Sequence, residues 1–124
     1  MIRCIDTPFF SYPVTDMTRS RAFYEGVLGL GAPEVFENEG GNWVEYSIGS
    51  GTLAITDMAP DWKPAQGGGS VGIEVEDFDV ALTQFEEKGV PVVVPPMESP
   101  VCRFMVIADP DGSPITIHKV KKQD

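Results

Sequence analysis

Histidine is nearly missing from this chain: of 124 residues, only His118 carries an imidazole. Cysteine is almost as scarce. Cys4 and Cys102 stand far apart with no metal-type spacing, so neither a disulfide framework nor a thiolate metal site is expected. Free thiols in a reducing cytoplasm are the expected state. No apolar run approaches the roughly 20 residues of a membrane span. Nor does an apolar stretch with a cleavage site follow Arg3, so no signal peptide is expected. Basic residues number nine against nineteen acidic ones, for a formal net charge of −10. Such a chain does not neutralise a phosphate backbone or an anionic bilayer, which argues against nucleic acid and membrane as partners. The same charge suits a cationic ligand, although it also serves solubility alone. A Ser-His-Asp or Cys-His arrangement of suggestive spacing is absent, as is a phosphate loop. Gly67-Gly68-Gly69 precedes a strand and not a helix, so it supplies flexibility.

What the chain does have is strand periodicity, interrupted twice by helix signals. Its organising stretch is Ala108-Asp-Pro-Asp-Gly-Ser-Pro-Ile-Thr-Ile-His118, which reads as a β-hairpin with turn chemistry at Pro110-Asp111-Gly112. The return strand puts Ile115 and Ile117 on one face, Thr116 and His118 on the other. Upstream, Thr7 to Val14 alternates Phe10, Tyr12 and Val14 against Thr7, Phe9 and Ser11, with Pro8 and Pro13 pointing to a sheet edge. Asp16 reads as a helix N-cap, and Gly26, Gly29 and Gly31 end that helix. Strands are expected at Glu34 to Glu37, Trp43 to Ile48 and Thr52 to Thr56. Residues 58–69 form a linker or lid. The pattern then restarts with a strand over Ser70 to Glu76, a helix through Val80 to Lys88 capped by Asp77 or Asp79, and Val90 to Val94 ended by Pro95-Pro96. Each half reads β-α-β-β-β. An offset of 61 lays Val14 and Asp16 on Val75 and Asp77. An offset of 62 lays Ser50 to Ile55 on Gly112 to Ile117. The chain is therefore an internal duplication: modules over 1–57 and 70–124, together one α+β domain. Each module's helix covers one face of its sheet, and the other faces enclose a cup.

Val14-Thr-Asp-Met-Thr-Arg-Ser20, with Phe23-Tyr24 and Val27-Leu-Gly-Leu30, resembles the first helix of the vicinal oxygen chelate superfamily. That family includes glyoxalase I, bleomycin-resistance proteins, extradiol dioxygenases and fosfomycin-resistance enzymes. Val71-Gly-Ile-Glu-Val-Glu-Asp-Phe-Asp79 and Asp109-Pro-Asp-Gly112 are similar to its second-half signatures. The resemblance spans nearly the whole chain and implies the cup-shaped fold of two βαβββ modules. In metal-dependent members, four positions facing the cup supply His, Gln or Glu. Carried onto this sequence they fall on Phe9, Ala54, Ser70 and Thr116, and the repeat offsets pair Phe9 with Ser70 and Ala54 with Thr116. None of these is a credible anchor for a divalent cation, so no metal and no cofactor is expected. A displaced site built from His118, Glu74 and Glu45 remains an alternative.

The cup so altered should be lined by Phe9, Ser11, Ala54, Ser70, Phe104, Val106, Thr116 and His118. Trp43 adds stacking surface, and Trp62 does so from the linker. For Phe9 the competing reading is a plug in the cup, for the tryptophans packing, and for His118 a strand-end residue among lysines. The bleomycin-resistance branch resembles this picture best, with an acidic chain, an apolar cleft and no catalytic metal. It implies a homodimer sequestering a small cationic or aromatic molecule. Two rival classes stay open: a glyoxalase- or dioxygenase-like enzyme, using an unusual metal or acid–base work by His118 and Glu74, and an interaction protein with a plugged cup.

Overall fold

Asp16 and Asp77 start the two helices in the same way. Each sits in extended conformation and its carboxylate accepts from the backbone N–H three residues on, Arg19 at 3.0 Å and Val80 at 3.1 Å. In the computed structural model, which describes residues 1–122, the chain divides into two units between Lys63 and Pro64. The last two positions expected in the second module, 123 and 124, lie outside the described residues. Each unit is a β-α-β-β-β arrangement with one four-stranded mixed sheet, so the fold is α+β.

In the first unit the sheet order is β1-β4-β3-β2, from Phe10–Pro13, Gly51–Thr56, Gly41–Ile48 and Glu34–Asn38. β1 runs parallel to β4, and the other pairs are antiparallel. Tyr12, Val44, Tyr46, Leu53 and Ile55 alternate onto one face and are buried, as are Phe23 and Tyr24 from the helical segment. The Tyr24 ring stacks on Tyr46 at 6.1 Å and tilts against Tyr12 at 6.4 Å. Burial of each large side chain contributes about 1.5–3 kcal/mol. The helical segment is α1, Met17–Arg21, running on without a break into a π-helical turn over Ala22–Val27. Gly26 therefore does not end it. The chain leaves only at Gly29 and Gly31, both at positive φ.

The second unit repeats the plan with order β5-β8-β7-β6, from Val71–Glu74, Pro114–Val120, Cys102–Ala108 and Val92–Glu98. Helix α2, Phe78–Glu87, buries Phe78 and Phe85, and the sheet buries Ile73, Met105, Ile107, Ile115 and Ile117. The duplication holds at the level of register. Phe10 opposes Leu53 as Val71 opposes Ile115, and Val14 donates to the Thr56 carbonyl as Val75 donates to that of His118, both at 2.9 Å.

Two expected boundaries are corrected. β1 begins at Phe10 and not at Thr7, because Pro8 has no N–H to pair and the Thr7 N–H is taken by the Asp6 carboxylate at 2.7 Å. Pro95-Pro96 does not end a strand at Val94. β6 continues to Glu98 because it lies at the sheet edge, where missing donors are tolerated, and its register shifts between Val92 and Met97 absorb the irregularity.

The β7–β8 hairpin is held by the buried Asp109. Its Oδ1 accepts from the Asp111 and Ser113 N–H groups, each at 2.9 Å. Gly112 has φ 86°, the left-handed region that favours glycine, and a Cβ there would also push against the exposed Gln66 side chain, 2.9 Å away. Asp109→Ala leaves two N–H groups without their acceptor and is expected to cost about 2 kcal/mol. Asp16→Ala, a single lost cap, should cost about 1 kcal/mol. Urea titration of both variants checks the ranking.

Candidate functional site

A helix covers one face of each sheet, and the alternation of side chains sends the remaining residues to the other. In the first unit that open face carries Ser11 opposite Ala54, Ala54 opposite Glu45, and Trp43 opposite Thr56. Register thus settles the facing of Glu45, which periodicity leaves open. Phe9, just ahead of β1, is 47% exposed and meets Trp43 edge-to-face, with ring centroids 5.2 Å apart. The Trp43 indole N–H donates to Glu45 Oε2 at 2.8 Å, which fixes both side chains. Ala54, fully buried, opposes Glu45 and contributes only a methyl. The result is an aromatic surface edged by a carboxylate.

In the second unit the corresponding face carries Gly72 opposite Thr116 and Glu74 opposite His118. On β7, Val106 opposes Thr116 and Phe104 opposes His118. Phe104 holds the place that Trp43 holds in the first unit. The Ser70 and Thr116 hydroxyls hydrogen-bond to each other at 2.8 Å. Glu74 accepts at one carboxylate oxygen from His118 Nδ1 and at the other from the Val120 N–H, 2.8 Å away. The hydrogen bond from His118 first, and that from Val120 second, hold the Glu74 carboxyl below the usual glutamate value. Trp62, 44% exposed, follows β4 in a turn closed by its N–H to the Ala59 carbonyl.

The four positions that the resemblance assigns to metal ligands carry side chains that do not suit a cation. Phe9 and Ala54 have no lone pair to give. Ser70 and Thr116 offer neutral hydroxyls already bonded to each other. Of the displaced set, His118 and Glu74 come together in the second unit, and Glu45 is engaged by the Trp43 indole. Among the described residues, no three His, Cys, Asp or Glu side chains form a cluster able to hold a metal.

Sequence reasoning missed one polar cluster, on the helix side of the first sheet. Glu25 accepts from Arg21 Nε at 2.7 Å and from the hydroxyl of the buried Tyr46 at 2.8 Å. The Arg21 hydrogen bond holds Glu25 below its usual pKa despite burial, with Tyr46 adding to it. Burial first, and the adjacent Glu25 second, push the Tyr46 hydroxyl up. The i,i+4 spacing of Arg21 and Glu25 was the available signal. Their engagement with a strand tyrosine was not visible.

Residues 8–117 match the family model described as the Glyoxalase/Bleomycin resistance protein/Dioxygenase superfamily. No curated protein matches the chain. Among solved structures, it is similar to TnmS3, an antibiotic binding protein from Streptomyces sp. CB03234, with TM-score 0.76, 23% identity and coverage of 98% of this chain and 100% of that one. A glyoxalase/bleomycin resistance protein from the same organism gives TM-score 0.69 at 24% identity, covering 88% and 96%. A glyoxylase/bleomycin resistance protein/dioxygenase domain from Frankia sp. EAN1pec gives 0.71 at 14%, covering 98% and 96%. These likenesses establish the fold.

The lowered carboxyls define an acid limit to stability. A group with a depressed folded pKa contributes stability that is fully present above its unfolded value, here about 4.5, and lost as pH falls through the folded value. The advantage of the wild-type chain over Glu25→Gln is therefore expected to be complete at pH 7 and to shrink below about pH 4.5. Glu74→Leu should show the same trend with smaller amplitude, because that carboxylate is half exposed. Thermal melts of each pair between pH 7 and pH 3 measure both.

Proposed function

The chain belongs to the glyoxalase/bleomycin resistance protein/dioxygenase superfamily, and from that premise we propose that it is a metal-independent small-molecule-binding protein that sequesters an aromatic or cationic compound. The observation that carries this reading is the Phe9–Trp43–Glu45 surface. An exposed aromatic ring stands edge-to-face on an indole, and a carboxylate orients that indole. A planar ligand gains apolar burial and stacking on such a surface, and a cationic one gains both the carboxylate and the ring face. Sequestration needs affinity and no reacting group, which suits the ligand positions occupied by Phe9, Ala54, Ser70 and Thr116. The antibiotic-binding description of TnmS3 supports the same class of activity. Strand β6 leaves Val92, Val93 and Met97 exposed along a sheet edge, and a strand edge with apolar side chains supports the expected homodimer.

A thermal-shift screen of aromatic cations and their uncharged analogues tests the reading. A ligand at a hundred times its Kd stabilises by about 2.7 kcal/mol, a rise of several degrees. Phe9→Ala and Trp43→Ala should each weaken the best binders by about tenfold or more, the scale of one aromatic contact surface. Glu45→Gln should weaken the cations selectively. Binders that lose nothing in either aromatic variant would sink the proposal. So would near-stoichiometric Mn, Fe, Ni or Zn on protein purified without tags or chelators and repleted with each metal.

A further inference from the structure

We propose that His118 Nε2 is a fixed hydrogen-bond acceptor for a ligand hydroxyl, so that the second unit's open face takes an aromatic molecule bearing a phenolic O–H. This rests on the small-molecule-binding reading above and names the ligand chemistry for one face.

The argument begins at Glu74. An ionised carboxylate only accepts, so the hydrogen on the His118–Glu74 bond belongs to Nδ1. Whenever the imidazole is neutral, its lone pair then lies on Nε2. Glu74 cannot swing away without cost, because its second oxygen is held by the Val120 N–H at 2.8 Å. Both ends of the carboxylate are tied to β8, and the ring is tied to the carboxylate. Among the described residues no protein group bonds Nε2, and the His118 side chain is 37% exposed. An oriented acceptor is thus left open to solvent.

The sheet does not need this arrangement for its own stability. At the equivalent register the first unit places Pro13 opposite Thr56, and builds the same parallel strand pair without an ionisable group. The neighbours on the face decide the donor. Phe104 opposes His118 and Val106 opposes Thr116, with Met97 and Val94 next across β6. A strongly hydrated ammonium ion would lose water against these apolar groups, while the nearby carboxylate is already committed to two donors. A phenol brings a ring to lie against Phe104 and a neutral O–H to meet Nε2. The Ser70–Thr116 pair, satisfied internally, adds a polar margin without competing for that donor.

Because His118 is the only histidine, its imidazole nitrogens can be followed in the full chain by ¹⁵N-correlated NMR without assignment. At pH 8 we expect protonated Nδ1 and bare Nε2, with that preference lost in Glu74→Leu. The probes are 2-naphthol, its methyl ether and protonated 2-naphthylmethylamine. 2-Naphthol should shift the Nε2 resonance and bind about tenfold more tightly than the ether, the scale of one hydrogen bond. His118→Phe, which keeps a ring and removes the acceptor, should erase that preference while retaining the ether. A proton resident on Nε2, equal responses to naphthol and ether, or an equal response to the amine would overturn the assignment. Loss of the naphthol preference in His118→Phe, together with full affinity in Phe9→Ala and Trp43→Ala, would uphold this site and overturn the first-unit reading instead.

Discussion

Each sheet of this protein has one helical segment to cover it, and a helix covers one face. Everything else follows from that shortage. The covered face takes the aliphatic and tyrosine side chains that supply the burial, Val44, Tyr46, Leu53 and Ile55 in one unit and Met105, Ile107, Ile115 and Ile117 in the other. Strict alternation then exports the intervening residues to a face with no helix of its own. That face mixes an exposed ring such as Phe9 with buried positions such as Ala54 and Thr56, and its residues differ in chemistry between the units while the register stays the same. The caps at Asp16 and Asp77 set where each helical segment begins.

The duplication makes this separation visible within a single chain. Equivalent strand pairs keep equivalent register, and the backbone bond from Val14 to Thr56 reappears from Val75 to His118. The side chains on the open faces, by contrast, have diverged. Aromatic character persists where Trp43 corresponds to Phe104. Pro13 with Thr56 has become Glu74 with His118, and Phe9 with Ala54 corresponds to Ser70 with Thr116. One face offers rings and a carboxylate that a ring N–H holds in place. Its counterpart offers a histidine held by a carboxylate. A shared scaffold therefore carries two different side-chain arrangements on equivalent register positions.

Much of this was legible before any coordinates. The facing of Phe9, Ser11, Thr116 and His118 follows from period-2 alternation, and that of Phe104 and Val106 from the turn at Asp109–Gly112, because a hairpin's turn sets its register. The aspartate caps were legible because N-capping is local chemistry. What escaped depends on contacts between distant residues. The π-helical turn carries Gly26 through the helix, since tertiary burial of Phe23 and Tyr24 outweighs the local preference of glycine to terminate. Pro95-Pro96 reads as a stop in any local scheme, and only position at the sheet edge makes it tolerable. The Arg21–Glu25–Tyr46 cluster and the Glu74–His118 tie join residues from separate elements. Of these, His118 and Glu74 are already paired as candidates by their shared facing, whereas the meeting of Arg21 and Glu25 with Tyr46 required the tertiary contact.

The proposed metal-free reading changes what binding would rely on. A metal site concentrates affinity in a few bonds to one ion, and tolerates an otherwise wet and open pocket. With Phe9 and Ala54 at two of those positions, affinity has to come from area, and area discriminates weakly among planar ligands. Specificity then falls to the few polar groups whose direction is fixed, because a misdirected donor or acceptor costs more than an absent one. On this protein those groups are the ones with a second partner holding them: Glu45 through the Trp43 indole, and His118 through Glu74 and the Val120 backbone. Under the proposed reading, oriented polar atoms on otherwise apolar faces are what would let a metal-free member of this fold choose its ligand.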